Sequence, residues 1–155
     1  MDVQLSAELL EEVTSEVLGE TAFIFVEALD NEPDWDEGEL LETRLTFSGD
    51  AQGELLFACN PALGIEFAAN LLGLEPGEDQ EIEAQSGDAI GEVLNIIAGP
   101  LLSAWLGDQA VCDIGPPSGA VVAPETHRER LAGATCSLAM ETEEGLPLEL
   151  AVFAA

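Results

Sequence analysis

The sequence contains no lysine, and only Arg44, Arg128 and Arg130 carry a permanent positive charge. Against these three stand 32 aspartates and glutamates, for a formal net charge of −29. A chain with that field is repelled by nucleic acid and by anionic membranes, so neither is expected as a partner. Solubility or adaptation to salt is the plainer reading of the acidity. Steering toward a basic partner surface is the sharper one, and it would weaken as salt rises.

Other shortages narrow the chemistry. His127 is the only histidine, so a histidine-based triad or a histidine-ligated metal centre has one candidate residue. Cys59, Cys112 and Cys136 form an odd set without a CxxC pair, each in or beside an apolar run, and read as buried free thiols. No calcium-loop spacing occurs among the acidic runs. No cofactor of the chain's own is therefore expected. The N-terminus lacks a basic segment followed by an apolar one, and no apolar run reaches about 18 residues. Neither a signal peptide nor a transmembrane helix is expected, and a cytoplasmic location follows as the expectation. Internal repeats and low-complexity tracts are also missing.

What is present suits one domain spanning 1–155, with 47% apolar residues to build a core. Residues 5–18 read as a helix that Ser6 can cap, with Leu9, Leu10, Val13, Val17 and Leu18 at helical spacing. Residues 21–29 either extend it or form a buried strand. The acidic stretch 30–42 reads as a solvated loop. Trp35 within it either docks a partner or packs back on the domain, the commoner fate of such a ring. Leu41–Phe47 and Gly53–Cys59 alternate like strands and flank turn residues, which predicts a hairpin. Asn60-Pro61 opens a second helix that Gly73 ends, and residues 75–83 read as another acidic loop. Val111–Ile114, Ala132–Met140 and Leu146–Phe153 are further strand candidates. His127, Arg128 and Arg130 form the one basic cluster. It could bind a phosphate, but pairing with the surplus carboxylates is the expectation. Without a βαβ alternation, the class is α+β, a largely antiparallel sheet packed against two or three long helices.

The segment from Glu83 to Leu106 carries the chemistry. At about 100° per residue, Asp88, Glu92, Asn95, Gly99 and Ser103 fall on one narrow stripe. Ile90, Val93, Leu94, Ile97, Leu101 and Trp105 fall largely opposite, as a core-facing side. Asn is a mediocre helix former, and Gly99 costs roughly 1 kcal/mol against Ala. A carboxamide offers an acceptor and two donors, which suits positioning a water, and a glycine admits close approach by another surface. A docking face and an ordinary solvated face are both consistent with this spacing.

This segment resembles the signature helix of the CheC/CheX/FliY family of chemotaxis phosphatases: Asp or Ser, three residues, Glu, two residues, Asn, about 22 residues, then Pro. Asp88, Glu92 and Asn95 match it, and Pro117 falls one residue short of the family spacing. Phe47-Ser-Gly49 with Gly53-Glu-Leu-Leu-Phe57 resembles the family's hairpin, and Phe67-Ala-Ala-Asn-Leu-Leu-Gly73 the helix after it. With one copy of the signature, the chain is most similar to the single-site CheX type. The resemblance implies hydrolysis of the aspartyl phosphate of a CheY-type response regulator, whose receiver domain supplies the divalent metal, such as Mg, and an active-site lysine. It implies that Asn95 orients the attacking water and that Glu92 docks on the lysine, with Asp88, Gly99 and Pro117 in support. Asp88 would favour the helix dipole from the first turns. It also implies a homodimer joined partly through its sheet. A non-catalytic adaptor on the same fold is the alternative. Pro100 departs from relatives that keep a backbone N–H there. A mid-helix proline costs about 3 kcal/mol, so a kink or break over 96–100 is expected.

Overall fold

The computed structural model describes residues 4–35, 38–72 and 80–155, for residue 72 and for 80–87 by their backbone. Helix α1 spans Ala7–Thr21, and its first turn is closed by Ser6 Oγ, which accepts from the Leu9 N–H at 3.2 Å. Glutamates occupy its outer positions, while Leu9, Leu10, Val13, Val17 and Leu18 are buried. Just past the C-cap Ala22 the chain turns at Phe23, a non-glycine residue with φ of 56°, after which the Ile24 N–H turns back to the Leu18 carbonyl. The stretch 21–29 thus gives the helix only Thr21, and its buried residues Ala22 and Ile24 lie outside any strand. Further on it becomes the short edge strand β1, Val26–Ala28, whose side chains are half-buried or exposed.

Strands β2 (Leu40–Gly49) and β3 (Gly53–Cys59) form the expected hairpin, in register from Leu41 opposite Cys59 to Phe47 opposite Gly53. Asn60 then caps α2 (Pro61–Leu72), its Oδ1 accepting from the Leu63 N–H at 2.9 Å. The predicted stop at Gly73 and the loop residues 75–79 lie outside the described residues. Residues 80–83, expected in that loop, are already helical, because α3 runs from Gln80 to Leu106. At 1.5 Å per residue it is about 40 Å long.

The chain continues through β4 (Cys112–Ile114), β5 (Ser118–Val122), α4 (Pro124–Leu131), β6 (Cys136–Thr142) and β7 (Pro147–Ala154). The seven strands form one antiparallel sheet, ordered β1-β6-β7-β3-β2-β4. Long β2 serves two neighbours on its outer side: β5 pairs Leu40–Arg44 and β4 pairs Phe47–Gly49. Helices α1, α2 and α3 cover one face, over a core that includes Leu45, Phe47, Leu55 and Phe57 of the hairpin and Leu148, Leu150 and Val152 of β7. The architecture is the α+β class expected.

The opposite face has a smaller cover. Trp35, 4% exposed, packs there with Leu40 and Ala58. The described part of the acidic stretch is therefore not simply a solvated loop, since its ring is folded back on the sheet. Strand β5 and helix α4 have no counterpart among the elements expected from sequence. Pro116-Pro117 reads as a stop, and α4 shows a buried histidine, His127, where an apolar pattern would need a leucine.

Candidate functional site

Helix α3 sorts its residues by face as the periodicity predicts. Ile90, Val93, Leu94, Ile97 and Leu101 are buried in the main core. Trp105 is half-buried and meets Phe47 edge-on at 6.1 Å. Asp88, Glu92, Asn95, Gly99 and Ser103 are all exposed. By length and composition alone Asp88–Leu106, with mean hydropathy 1.5, could cross a membrane, although the sequence holds no unbroken apolar run of that length. Here its apolar side packs against the sheet and the other helices.

Two expectations about this helix change. Asp88 lies eight residues after Gln80, more than two turns in, and the favourable dipole effect fades within the first turn. Its place is therefore not explained by the helix end. Of the kink or break expected over 96–100, the break does not occur, for α3 is a single helix through Pro100. Pro100 is exposed and, with Ala104, borders the groove where Leu9, Val13 and Val17 of α1 pack alongside. Ile97 and Leu101, on either side of it in sequence, are buried in the main core.

Pro117 comes to the helix from the segment between β4 and β5. A Cβ added at Gly91 would stand 3.0 Å from Pro117 Cγ and 3.3 Å from its Cβ, so the ring rests directly on the glycine. The residue beside Glu92 is thereby held in place. The one-residue shortfall in motif spacing does not keep Pro117 away from α3. The sequence signal for Gly91 is a glycine inside a long helix, next to a motif residue. Over Gly99, by contrast, an added Cβ would meet nothing within 4 Å. The stripe there is open, and a shallow depression of about 110 Å³ between Gly99, Ser103, Cys112 and Ile114 adjoins it.

A larger pocket of about 310 Å³ lies at the other end of the stripe. Asp88, Gly91 and Pro117 line it with Leu41, Thr43 and Val121 among others. The Asp88 carboxylate has no hydrogen bond or ion pair among the described residues. Glu92 and Asn95 are likewise without an internal partner among the described residues.

The basic cluster takes the opposite form. His127 is fully buried, with Nδ1 2.7 Å from Glu42 Oε2 and Nε2 2.8 Å from Glu149 Oε1. Arg130 Nε forms an ion pair with the other Glu42 oxygen at 3.0 Å. The Trp35 ring stands edge-on to the imidazole at 5.6 Å. Burial alone would lower the His127 pKa, but the hydrogen bonds to Glu149 and Glu42, with their charges, raise it to about 9. Burial likewise opposes ionisation of Glu42, yet the His127 hydrogen bond and the Arg130 charge hold its pKa below the usual carboxylate value. Arg128 pairs with Glu32 at 3.8 Å on the surface. These side chains are paired with carboxylates, as expected, and His127 has no ring nitrogen left for a phosphate.

Of the cysteines, Cys59 is buried as expected, whereas Cys112 and Cys136 are only half-buried. Burial pushes the Cys59 and Cys136 thiols up, away from the reactive thiolate. Among the described residues no group of three His, Cys, Asp or Glu is placed to hold a metal ion.

Comparison with known proteins completes the site. The family described as chemotaxis phosphatase CheX matches residues 43–141. No curated protein matches the chain. Among solved structures, CheX in the CheX–CheY–BeF3–Mg complex of Borrelia burgdorferi is similar at 19% identity and TM-score 0.66, covering 95% of this chain and 96% of that one. CheX of Vibrio vulnificus is similar at 17% identity and TM-score 0.69, covering 95% and 93%. FliY of Thermotoga maritima is similar at 16% identity and TM-score 0.58, covering 96% and 89%. At such identities the structural likeness speaks for the fold.

Proposed function

The chain belongs to the CheX family of chemotaxis phosphatases, and from that membership we propose that it hydrolyses the aspartyl phosphate of a CheY-type response regulator. The observation that carries the reading is the exposed row on α3, where Glu92 and Asn95 stand one turn apart with no internal partner among the described residues. In a long helix backed by core, such groups are presented to another molecule at little cost in ordering.

In this reading the receiver domain brings its own Mg ion and lysine, as the likeness to a CheX bound to CheY with BeF3 and Mg suggests. Glu92 pairs with the receiver's lysine and fixes the register. Asn95 enters the receiver's site and holds a water in line with the phosphorus, accepting from it through the carboxamide oxygen or donating through the amide. The water oxygen bonds to phosphorus, the bond to the aspartyl oxygen breaks, and inorganic phosphate leaves a regenerated carboxylate. No covalent intermediate on this chain is required, and the rate gain comes from positioning. Gly99 leaves room for the receiver's surface, while Pro117 on Gly91 steadies the helix beside Glu92. The same reading carries a cytoplasmic location and a homodimer joined partly through its sheet.

The net charge favours a second reading, a non-catalytic adaptor on the same fold, because an acidic receiver pocket is repelled by a chain of −29. One experiment separates the two. Candidate receiver domains are phosphorylated, and phosphate loss is followed with the wild type and with Asn95→Ala. Faster loss with the wild type alone supports catalysis. Equal rates on every receiver, with binding abolished by Glu92→Lys, would identify the adaptor.

A further inference from the structure

The pocket of about 310 Å³ beside Asp88 has no role in the mechanism above. Its volume is at the lower end of the roughly 300–1,000 Å³ usual for small-molecule sites, so it suits a single side chain better than a cofactor. Its walls are mainly apolar, formed by Leu41, Pro117 and Val121, and Asp88 supplies an exposed carboxylate. Glu42 also borders the pocket, but its carboxylate is held by His127 and Arg130 on the other face of the sheet. Among the described residues, Asp88 is therefore the one that offers an unpaired charge there. A side chain with an apolar stem and a cationic head matches both features, and the overall charge of −29 favours the same sign of ligand.

Position supplies the second argument. Asp88 precedes Glu92 by one turn, and it is about 10 Å along the helix from Asn95. A partner that receives Asn95 in its active site covers about 800 Å² of this surface in a contact of standard size. The pocket falls within that footprint. We propose that it is a docking pocket for a lysine or arginine side chain of the receiver domain, whose stem lies on Leu41, Pro117 and Val121 and whose head pairs with Asp88. This inference rests on the phosphatase reading and adds a specificity contact to it. Receivers that lack a basic residue at the facing position are poor substrates.

The test uses the full chain with receiver domains carrying phosphate, or BeF3 and Mg as its stable mimic. Wild type, Asp88→Asn, Asp88→Lys and Val121→Trp are compared for kcat, KM and affinity. Asp88→Asn is expected to raise KM about fivefold and Asp88→Lys about fiftyfold, with kcat at saturation changed less than twofold. Filling the pocket with Val121→Trp raises KM comparably. A Lys→Glu or Arg→Glu change at one position of the receiver restores binding by Asp88→Lys. If the wild type removes phosphate but KM is unmoved by both Asp88 variants, the pocket assignment is overturned and the phosphatase reading stands. An effect of Val121→Trp without one of Asp88→Asn points to an apolar occupant and overturns it too. Wild type that neither binds nor dephosphorylates any receiver overturns both.

Discussion

The exposed row of α3 and the cluster around His127 use similar side chains to opposite ends. On α3, Asp88, Glu92 and Asn95 face outward and bond to nothing in the described chain. Under Trp35, His127 bonds to Glu42 and Glu149, and Arg130 forms an ion pair with Glu42, over the outer face of the sheet. Buried ionised groups are tolerable only when paired, whereas exposed ones can wait for a partner at almost no cost. Internal pairing thus marks a structural role and its absence marks an available one. In a chain so rich in carboxylates, composition cannot make that distinction.

Removing His127 should show the largest effect. His127→Ala leaves Glu42 and Glu149 facing each other in a buried space and should cost about 3–5 kcal/mol of stability. Urea denaturation measures it, and a loss below about 1 kcal/mol would mean that water already reaches the cluster. Its pH dependence has a definite sign. The folded pKa of His127, about 9, is above the ordinary 6.5, so its contribution is complete below 6.5 and is lost as pH rises through 9. Glu42 is shifted down from 4.5, so its contribution is present above 4.5 and fades as pH falls below it. Stability should peak between these limits, and His127→Ala should flatten the alkaline limb specifically.

The converse holds for α3. Asn95→Ala should lower receiver dephosphorylation about a hundredfold or more, yet shift unfolding by no more than about 0.5 kcal/mol. A destabilisation above 1 kcal/mol would place Asn95 with the His127 cluster instead. This pair of regions also shows what could be read in advance. The α3 face was legible because period and core burial work within one continuous segment. The hairpin was legible for the same local reason. The His127 cluster was legible only as a tendency to pair, since Glu42 and His127 are 85 residues apart and no local pattern joins them. Strand β5 was hidden because its exposed positions lack alternation. Helix α4 was hidden because its inner side is a charged histidine, although Pro124 at its first turn was a usable cue.

Gly91 sits between the two regimes, buried yet next to Glu92. Gly91→Leu must push Pro117 away, and overpacking of this kind costs about 1–3 kcal/mol. The informative part is activity per folded molecule. If Pro117 steadies the presenting face, phosphate release should fall severalfold even well below the melting temperature. If only stability falls, Pro117 belongs to the fold alone.

Phe23 gives the smallest effect and the hardest case for the rule that exposure without partners means availability. It is 72% exposed and holds φ at 56°. A bulky residue in that region costs about 1–2 kcal/mol relative to right-handed backbone. The left-handed residue is what ends α1 and brings Ile24 back toward Leu18, so the backbone shape is needed while the ring is not. Asn accepts this conformation more readily than Phe and, unlike Gly, does not greatly loosen the unfolded chain. Phe23→Asn should therefore stabilise the protein by about 0.5–1 kcal/mol, a rise of about 2 °C in melting temperature. A fall instead would show that the exposed ring stabilises the folded state despite its exposure. Exposure would then be a weaker guide to availability on α3 as well, and the weight would shift to the unpaired polar groups themselves.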